Sequence, residues 1–100
     1  MLKPKKAQLN IRKILKNAPE AKAFWTADGH KLYNLRDMLN ALENMADDIF
    51  HAHVNSKKND FVQWIKLVLG DRRLGRILRW TTTRETTVKK TKDHIDKHYI

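Results

Sequence analysis

The stretch NDFVQWIKLVLGDRRLGRILRW, residues 59–80, decides the fold class of this chain. Its first half repeats apolar residues at the three- and four-residue spacing of a buried helix face. These residues are Phe61, Trp64, Ile65 and Val68. Asn59 or Asp60 is a suitable N-cap, and Gly70 is a suitable C-terminal stop. The pattern therefore predicts a helix over 60–69, with Trp64 at the centre of the core.

The second half predicts another helix, which starts at Asp71, runs to about Trp80 and carries a strongly basic face. Leu74, Ile77 and Leu78 point to one side of it. Three of its arginines lie within about 60° of one another on an ideal helical wheel, and a fourth flanks them. They are Arg72, Arg76 and Arg79, flanked by Arg73. Because planar guanidinium groups bind phosphate through two hydrogen bonds at once, this face is a candidate phosphate-binding surface.

Beyond this stretch the chain predicts a last helix over 84–97. The three β-branched residues Thr81-Thr82-Thr83 interrupt helical propensity. Thr82 and Glu85 have the spacing of a capping box. Only Val88 and Ile95 are strongly apolar in the helix that follows. We therefore expect this helix to dock weakly, to extend from the body or to become ordered on binding.

Before the stretch, residues 34–53 show helical periodicity and residues 24–33 do not. Asn34 caps a helix that either runs to about His53 or breaks near 46–48, and a polar loop over 54–58 follows. Aromatic and branched residues on both sides of Asp28-Gly29 predict a short β-hairpin with a type I′ turn.

At the N-terminus the sequence predicts an amphipathic helix over 5–18. Its apolar face consists of Ala7, Ile11, Ile14, Leu15 and Ala18. Its outer face is basic and consists of Lys5, Arg12, Lys13 and Lys16, with Lys6 at the edge. Pro19 ends the pattern.

Length and composition predict one small domain with positively charged ends. The 100 residues hold 21 Lys and Arg against 11 Asp and Glu, for a net charge of +10. Residues 1–22 contribute +6, residues 23–70 contribute −1 and residues 71–100 contribute +5. We expect a basic N-terminal helix over 1–22, a helical body over 23–80 and a basic helix or tail over 81–100. The absence of cysteine and of a long apolar run favours a cytoplasmic protein without membrane contact.

The middle of the chain resembles a family of small, mostly helical domains that are common in archaea and have no established role. The resemblance covers residues 23–78, and its most specific part is H-V-N followed by N-D-F-x-x-W-I-x-x-V-L-G-D, residues 53–71. It implies one helical body with a short hairpin and no catalytic residues. The arginines after Asp71 and the basic ends depart from the family pattern, and we place the function there.

Together these patterns predict a mainly α protein, a bundle of four to five helices with a hairpin near 24–33. We expect it to bind nucleic acid non-specifically through phosphates, with DNA favoured over RNA, as nucleoid or chromatin proteins do. The expected binding residues are Lys5, Lys6, Arg12, Lys13, Lys16, Arg72, Arg73, Arg76, Arg79, Arg84, Lys89 and Lys90. Trp25, Tyr33 and Trp80 are the candidates for stacking on bases.

Other interpretations of the sequence remain open. The basic faces are also compatible with solvation alone, or with an interaction module for an acidic protein or a ribonucleoprotein. The last helix also allows a homodimer. His94 and His98 have the i, i+4 spacing of metal ligands but lack a matching third ligand. Asp47, Asp48 and Asp60 are interpreted as helix N-terminal acids. We expect no enzymatic activity, cofactor or metal.

Overall fold

The computed structural model describes residues 12–100, which form five helices and two short antiparallel hairpins. The helices are α1 (Leu35–Asn44), α2 (Asp47–His53), α3 (Asp60–Trp64, continued by a π-helical turn, Ile65–Leu69), α4 (Arg72–Leu78) and α5 (Arg84–His98). The strands are β1 (Phe24–Trp25), β2 (Lys31–Leu32), β3 (Val54–Asn55) and β4 (Lys58–Asn59). The mainly α fold class is confirmed. No helix within residues 12–100 has both the length and the apolarity to cross a bilayer.

The predicted helix over 5–18 is wrong for the part that the structure describes. Residues 5–11 lie outside the described residues, and residues 12–18 form no helix, with Lys13 in a β-bridge to Tyr99. Lys13 N–H donates to the His98 carbonyl at 2.8 Å, and Ile100 N–H donates to the Lys13 carbonyl at 2.9 Å. The backbone thus finds its hydrogen-bond partners at the opposite end of the chain, which local periodicity does not reveal.

The first hairpin is confirmed, but its turn differs from the prediction. Its cross-strand pairs are Phe24 with Leu32 and Trp25 with Lys31. Gly29 N–H donates to the Thr26 carbonyl at 2.9 Å and closes a three-residue loop over 27–29. Within this loop only Gly29 has a positive φ, 92°, so Asp28 does not take the conformation that a type I′ turn requires. A three-residue loop with glycine last matches the twist of the strands equally well.

The helix boundaries in the middle of the chain follow the predicted caps. Asn34 Oδ1 accepts from Asp37 N–H at 2.8 Å, and Asn59 Oδ1 accepts from Val62 N–H at 3.0 Å. The chain breaks between α1 and α2 at residues 45–46, and Gly70 ends the third helix with a φ of 75°. The expected polar loop over 54–58 is wrong, because these residues belong to the hairpin β3–β4.

The last helix packs firmly, contrary to expectation. α5 lies against α1 and α4. It buries one aliphatic residue and three polar ones, namely Ile95, Thr87, Thr91 and His94. Threonine methyl groups and an imidazole ring therefore supply much of the buried face that a count of strongly apolar residues misses. The N-cap is Thr83, one residue after the predicted Thr82, and its Oγ1 accepts from Thr86 N–H at 3.2 Å.

Aromatic rings fill the core beside the first hairpin. Phe61 stacks on Phe24 with the ring centroids 4.8 Å apart, and Phe50 lies on its other side at 6.3 Å. Trp64 is buried as predicted, meets Phe24 edge-on at 5.6 Å and donates Nε1–H to the Lys22 carbonyl at 2.9 Å. Phe61 rather than Trp64 therefore lies at the centre of this cluster, and Trp64 lies at its edge.

The apolar face of α4 is narrower than predicted. Leu74 and Leu78 are fully buried, and Gly75 allows the close approach of Lys66. Ile77, which was expected on the same face, is 37% exposed. The exposed arginines therefore occupy more of the helix surface than the wheel suggested.

Two buried threonines of α5 give a matched test of hydroxyl burial. Thr87 donates to the Thr83 carbonyl at 2.8 Å, whereas Thr91 Oγ1 has no hydrogen-bond partner among the described residues. We expect Thr91→Val to raise the free energy of unfolding by about 1 kcal/mol, because it removes an unsatisfied buried group. Thr87→Val should lower it by a similar amount. Urea unfolding of both variants checks this, and equal shifts would contradict it.

Candidate nucleic-acid interface

Basic side chains from three parts of the chain line one groove, which we call the basic groove. It encloses about 530 Å³. Its lining residues with basic side chains are Lys13, Arg72, Arg73, Arg76, His94 and His98. Four of the predicted binding residues therefore meet here, although Lys13 is distant from the arginines in the sequence.

The groove is built by one helix and one backbone bridge. Asp71 Oδ1 accepts from Leu74 N–H at 2.9 Å and so begins α4, which presents Arg72, Arg73 and Arg76 on its exposed side. Lys13 is held opposite by its parallel pairing with Tyr99, the residue that follows α5. This bridge, in place of the predicted helix, is what brings Lys13 into the groove.

A buried polar cluster of Asp71, His94 and Tyr99 lies beneath the groove. The Asp71 carboxylate is 3% exposed and accepts from the Tyr99 hydroxyl at 2.5 Å and from His94 Nε2 at 2.8 Å. Burial alone would raise the pKa of Asp71, but the hydrogen bonds from Leu74 N–H, Tyr99 and His94 outweigh it and lower the pKa. Burial and the same carboxylate raise the pKa of Tyr99. Asp71 therefore stays ionised at neutral pH.

Among the described residues that line the groove, Asp71 is the sole carboxylate. Four side chains with permanent positive charge thus face one buried negative charge. Arg73 Nη1 donates to His98 Nε2 at 3.4 Å. Partial burial is the largest of the effects that lower the pKa of His98, and the nearby His94 and Arg73 lower it further. The ring is therefore neutral at pH 7 and accepts the hydrogen bond. The groove is suited to anionic groups at neutral pH through its four permanently charged side chains.

A smaller groove continues this basic surface along α5. It shares His94 and His98 with the basic groove and is also lined by Lys90, Lys97, the half-exposed Ile77 and one carboxylate, Asp93. Lys90, another of the predicted binding residues, therefore extends the positive surface past the end of α4.

The remaining predicted binding residues do not join the basic groove. Arg84 is engaged in the fold, because it donates to Asp47 Oδ1 at 3.1 Å and to the Leu42 carbonyl at 2.9 Å. Lys89 pairs with Asp93 at 3.3 Å on the exposed side of α5. Arg12 and Lys16 are exposed on the non-helical segment that precedes Pro19. Lys5 and Lys6 lie outside the described residues.

Arg79 lies beside a second groove, together with the most exposed aromatic residue. Trp80 is 79% exposed, and the Arg79 guanidinium carbon lies 4.8 Å from its ring centroid. Trp25 is also exposed and has Lys31 Nζ over its ring at 5.3 Å, but it lines neither of these two grooves. Tyr33 is half-buried and donates its hydroxyl to Glu20 at 2.9 Å. Of the three stacking candidates, Trp80 is the one that stands beside a cationic groove.

His53 and the helix N-terminal acids have structural roles. His53 Nε2 accepts from Ala27 N–H at 2.9 Å, so the ring proton sits on Nδ1, which donates to Asp60 at 3.0 Å. The ring thus ties the first hairpin to the start of α3. Asp47 and Asp48 occupy the first turn of α2. Within residues 12–100 no cluster of three or more His, Asp or Glu side chains is arranged to hold a metal ion.

Sequence reasoning missed the buried Asp71–His94–Tyr99 cluster and the groove beside Trp80. The i, i+4 spacing of His94 and His98 pointed to one helix face, but only the packing of α5 shows that this face meets Asp71. Lys57 and Lys58 were assigned to a loop, whereas the hairpin β3–β4 places them beside Trp80.

Comparison of the chain with protein-family models, with curated proteins and with solved structures gives no match in any of the three. The resemblance of residues 23–78 to an archaeal domain family stays an expectation.

Proposed function

We propose that this protein binds nucleic acid non-specifically, with duplex DNA as its main ligand, through phosphate contacts in the basic groove. The observation that carries the proposal is the convergence of Lys13, Arg72, Arg73 and Arg76 on one groove whose sole described carboxylate is buried. Phosphates are the anions that arginine binds best, through paired hydrogen bonds. On this proposal the protein acts in the cytoplasm, at the nucleoid.

The shape of the site favours backbone contacts over the reading of bases. α4 has seven residues, and its arginines share their exposed surface with Lys13 from a separate segment. A helix that reads the major groove must project from the body so that it reaches base edges. Here the cations form the walls of a groove, which suits a ridge of phosphates. Contacts to phosphates position a protein on nucleic acid but do not distinguish one base sequence from another.

Removal of two groove arginines is the test of this proposal. We expect Arg72→Ala with Arg76→Ala to lower the affinity for duplex DNA at least tenfold at low salt and to reduce the log–log salt slope by about 2. This pair leaves Arg73 and its hydrogen bond to His98 in place. The measurement is fluorescence anisotropy of a labelled duplex at several salt concentrations, with single-stranded DNA and duplex RNA for comparison.

The matched control removes the same amount of charge elsewhere. Arg36 is exposed on α1, and Lys92 pairs with Asp96 on the outer side of α5. The double variant Arg36→Ala with Lys92→Ala has the same net charge as the groove variant but leaves the basic groove intact. It should therefore keep most of the affinity for duplex DNA. Equal losses in both variants would mean that net charge alone drives binding. Absence of binding to every nucleic acid at low salt would sink the proposal and favour an acidic protein partner.

A further inference from the structure

The hairpin β3–β4 and residues 79–82 enclose a second groove, which we call the stacking groove. It holds about 580 Å³. Its lining combines one aromatic ring with cationic and amide side chains, chiefly Lys57, Lys58, Asn59, Arg79 and Trp80. Among the described lining residues none is a carboxylate. The groove therefore offers a flat apolar surface and positive charge within one concave space.

Trp80 is presented from a fixed piece of backbone. Thr81, its neighbour, is buried and donates both its hydroxyl and its N–H to the Leu78 carbonyl, at 2.9 and 3.1 Å. These bonds fix the backbone between α4 and α5 and therefore fix the position of the Trp80 indole. Arg79 lies over the ring at 4.8 Å and restricts it further through a cation–π contact. With 79% of Trp80 exposed, ring surface remains open to a ligand.

The cations around Trp80 are placed for a phosphate chain. Lys58 is partly neutralised, because its ammonium pairs with Asp60 at 2.9 Å. Lys57 and Arg79 have no carboxylate partner among the described residues, and they line the same groove as the indole. A ligand that fits both features must carry a planar aromatic group next to an anionic group.

We propose that the stacking groove binds single-stranded nucleic acid, with an unpaired base stacked on Trp80 and the adjacent phosphates on Lys57 and Arg79. Base–aromatic stacking of this kind tolerates any base, since every base presents a π-face. A duplex cannot use the groove in this way, because its bases are already stacked on each other. This inference rests on the proposed function and adds a second class of ligand to it.

The test compares two ligands that differ only in their bases. A labelled 12-nucleotide oligothymidylate and an abasic oligomer of the same length carry the same phosphates. Wild-type protein should bind oligothymidylate about tenfold more tightly than the abasic oligomer. Trp80→Ala should abolish this difference, Trp80→Phe should retain part of it, and duplex binding should stay unchanged in both variants. Trp25→Ala is the matched control and should behave as wild type.

The outcomes separate this inference from the proposed function. Equal wild-type affinities for the two oligomers would overturn the stacking groove while leaving phosphate binding in place. A base preference that is lost in Trp25→Ala and kept in Trp80→Ala would overturn the assignment to Trp80. Absence of binding to either oligomer and to duplex DNA would overturn both proposals.

Discussion

Replacement of Asp71 by alanine is expected to lower the free energy of unfolding by about 3–5 kcal/mol. The change leaves the buried Tyr99 hydroxyl and His94 Nε2 without their acceptor, and each unsatisfied buried group costs about 1–3 kcal/mol. It also removes the N-cap of α4, which contributes about 1 kcal/mol. Because this cluster joins α4 to α5 and to the C-terminal bridge with Lys13, the basic groove should lose its shape together with the stability.

Urea unfolding followed by circular dichroism measures the loss, and two further variants show where it arises. Tyr99→Phe removes one hydrogen bond and should cost about 1–2 kcal/mol. Asp47→Ala removes the exposed partner of Arg84 and should change stability by less than about 1 kcal/mol. A loss below about 1 kcal/mol in Asp71→Ala would show that the cluster is not a stabilising unit.

The same cluster predicts the direction of the acid response. Folding lowers the pKa of Asp71 from its usual value near 3.8, so the ionised carboxylate stabilises the fold at pH values above that. This stabilisation is lost as the pH falls below about 4, through the folded pKa. The gap in unfolding free energy between wild type and Asp71→Asn should therefore shrink between pH 5 and pH 2. A gap that is constant over this range would contradict the lowered pKa.

Replacement of Phe61 by alanine is expected to cost about 3–5 kcal/mol, comparable to the loss of Asp71. Phe61 is 1% exposed and lies between Phe24 and Phe50, so its removal leaves a cavity that neither ring fills without moving. Phe24 belongs to β1, and a two-stranded hairpin depends on packing for its order. We therefore expect the first hairpin to loosen first.

Denaturant unfolding monitored by tryptophan emission checks this expectation, since the Trp64 ring packs against Phe24. Leu67→Ala is the matched control, because Leu67 lies in the same continuous helix but is exposed. It should change stability by no more than about 0.5 kcal/mol. Similar losses in the two variants would place the centre of the core elsewhere.

The two grooves differ in the chemical groups of a ligand that they can bind. The basic groove joins α4 to residues held by the C-terminal bridge and is lined mostly by basic side chains. The stacking groove lies at the other end of α4 and adds an exposed indole. On our proposals the first binds the phosphates of a duplex and the second binds an unpaired strand. A protein with both would hold DNA where its strands separate.

Most of the helices were predictable because their causes are local. Side-chain caps at Asn34 and Asn59, the glycine stop at Gly70 and the apolar spacing over 60–69 all act within a few residues along the chain. The hairpin around Asp28-Gly29 is local in the same way. The four arginines of residues 72–79 were likewise visible, since a helical repeat alone places them on neighbouring positions.

Features that depend on contacts between residues distant in the sequence could be read only from the tertiary structure. Residues 12–18 have the periodicity of a helix, yet their backbone pairs with Tyr33 and with residues 98–100. α5 has few strongly apolar residues, yet threonines and a histidine bury its inner face, and the Asp71 carboxylate gives that histidine its partner. Local patterns were sufficient to place α1 to α5, most of their ends and the basic character of the surface, but they also predicted a helix that residues 12–18 do not form. Packing alone determined which cations share a groove, because hydrogen bonds between distant segments leave no periodic trace in the sequence.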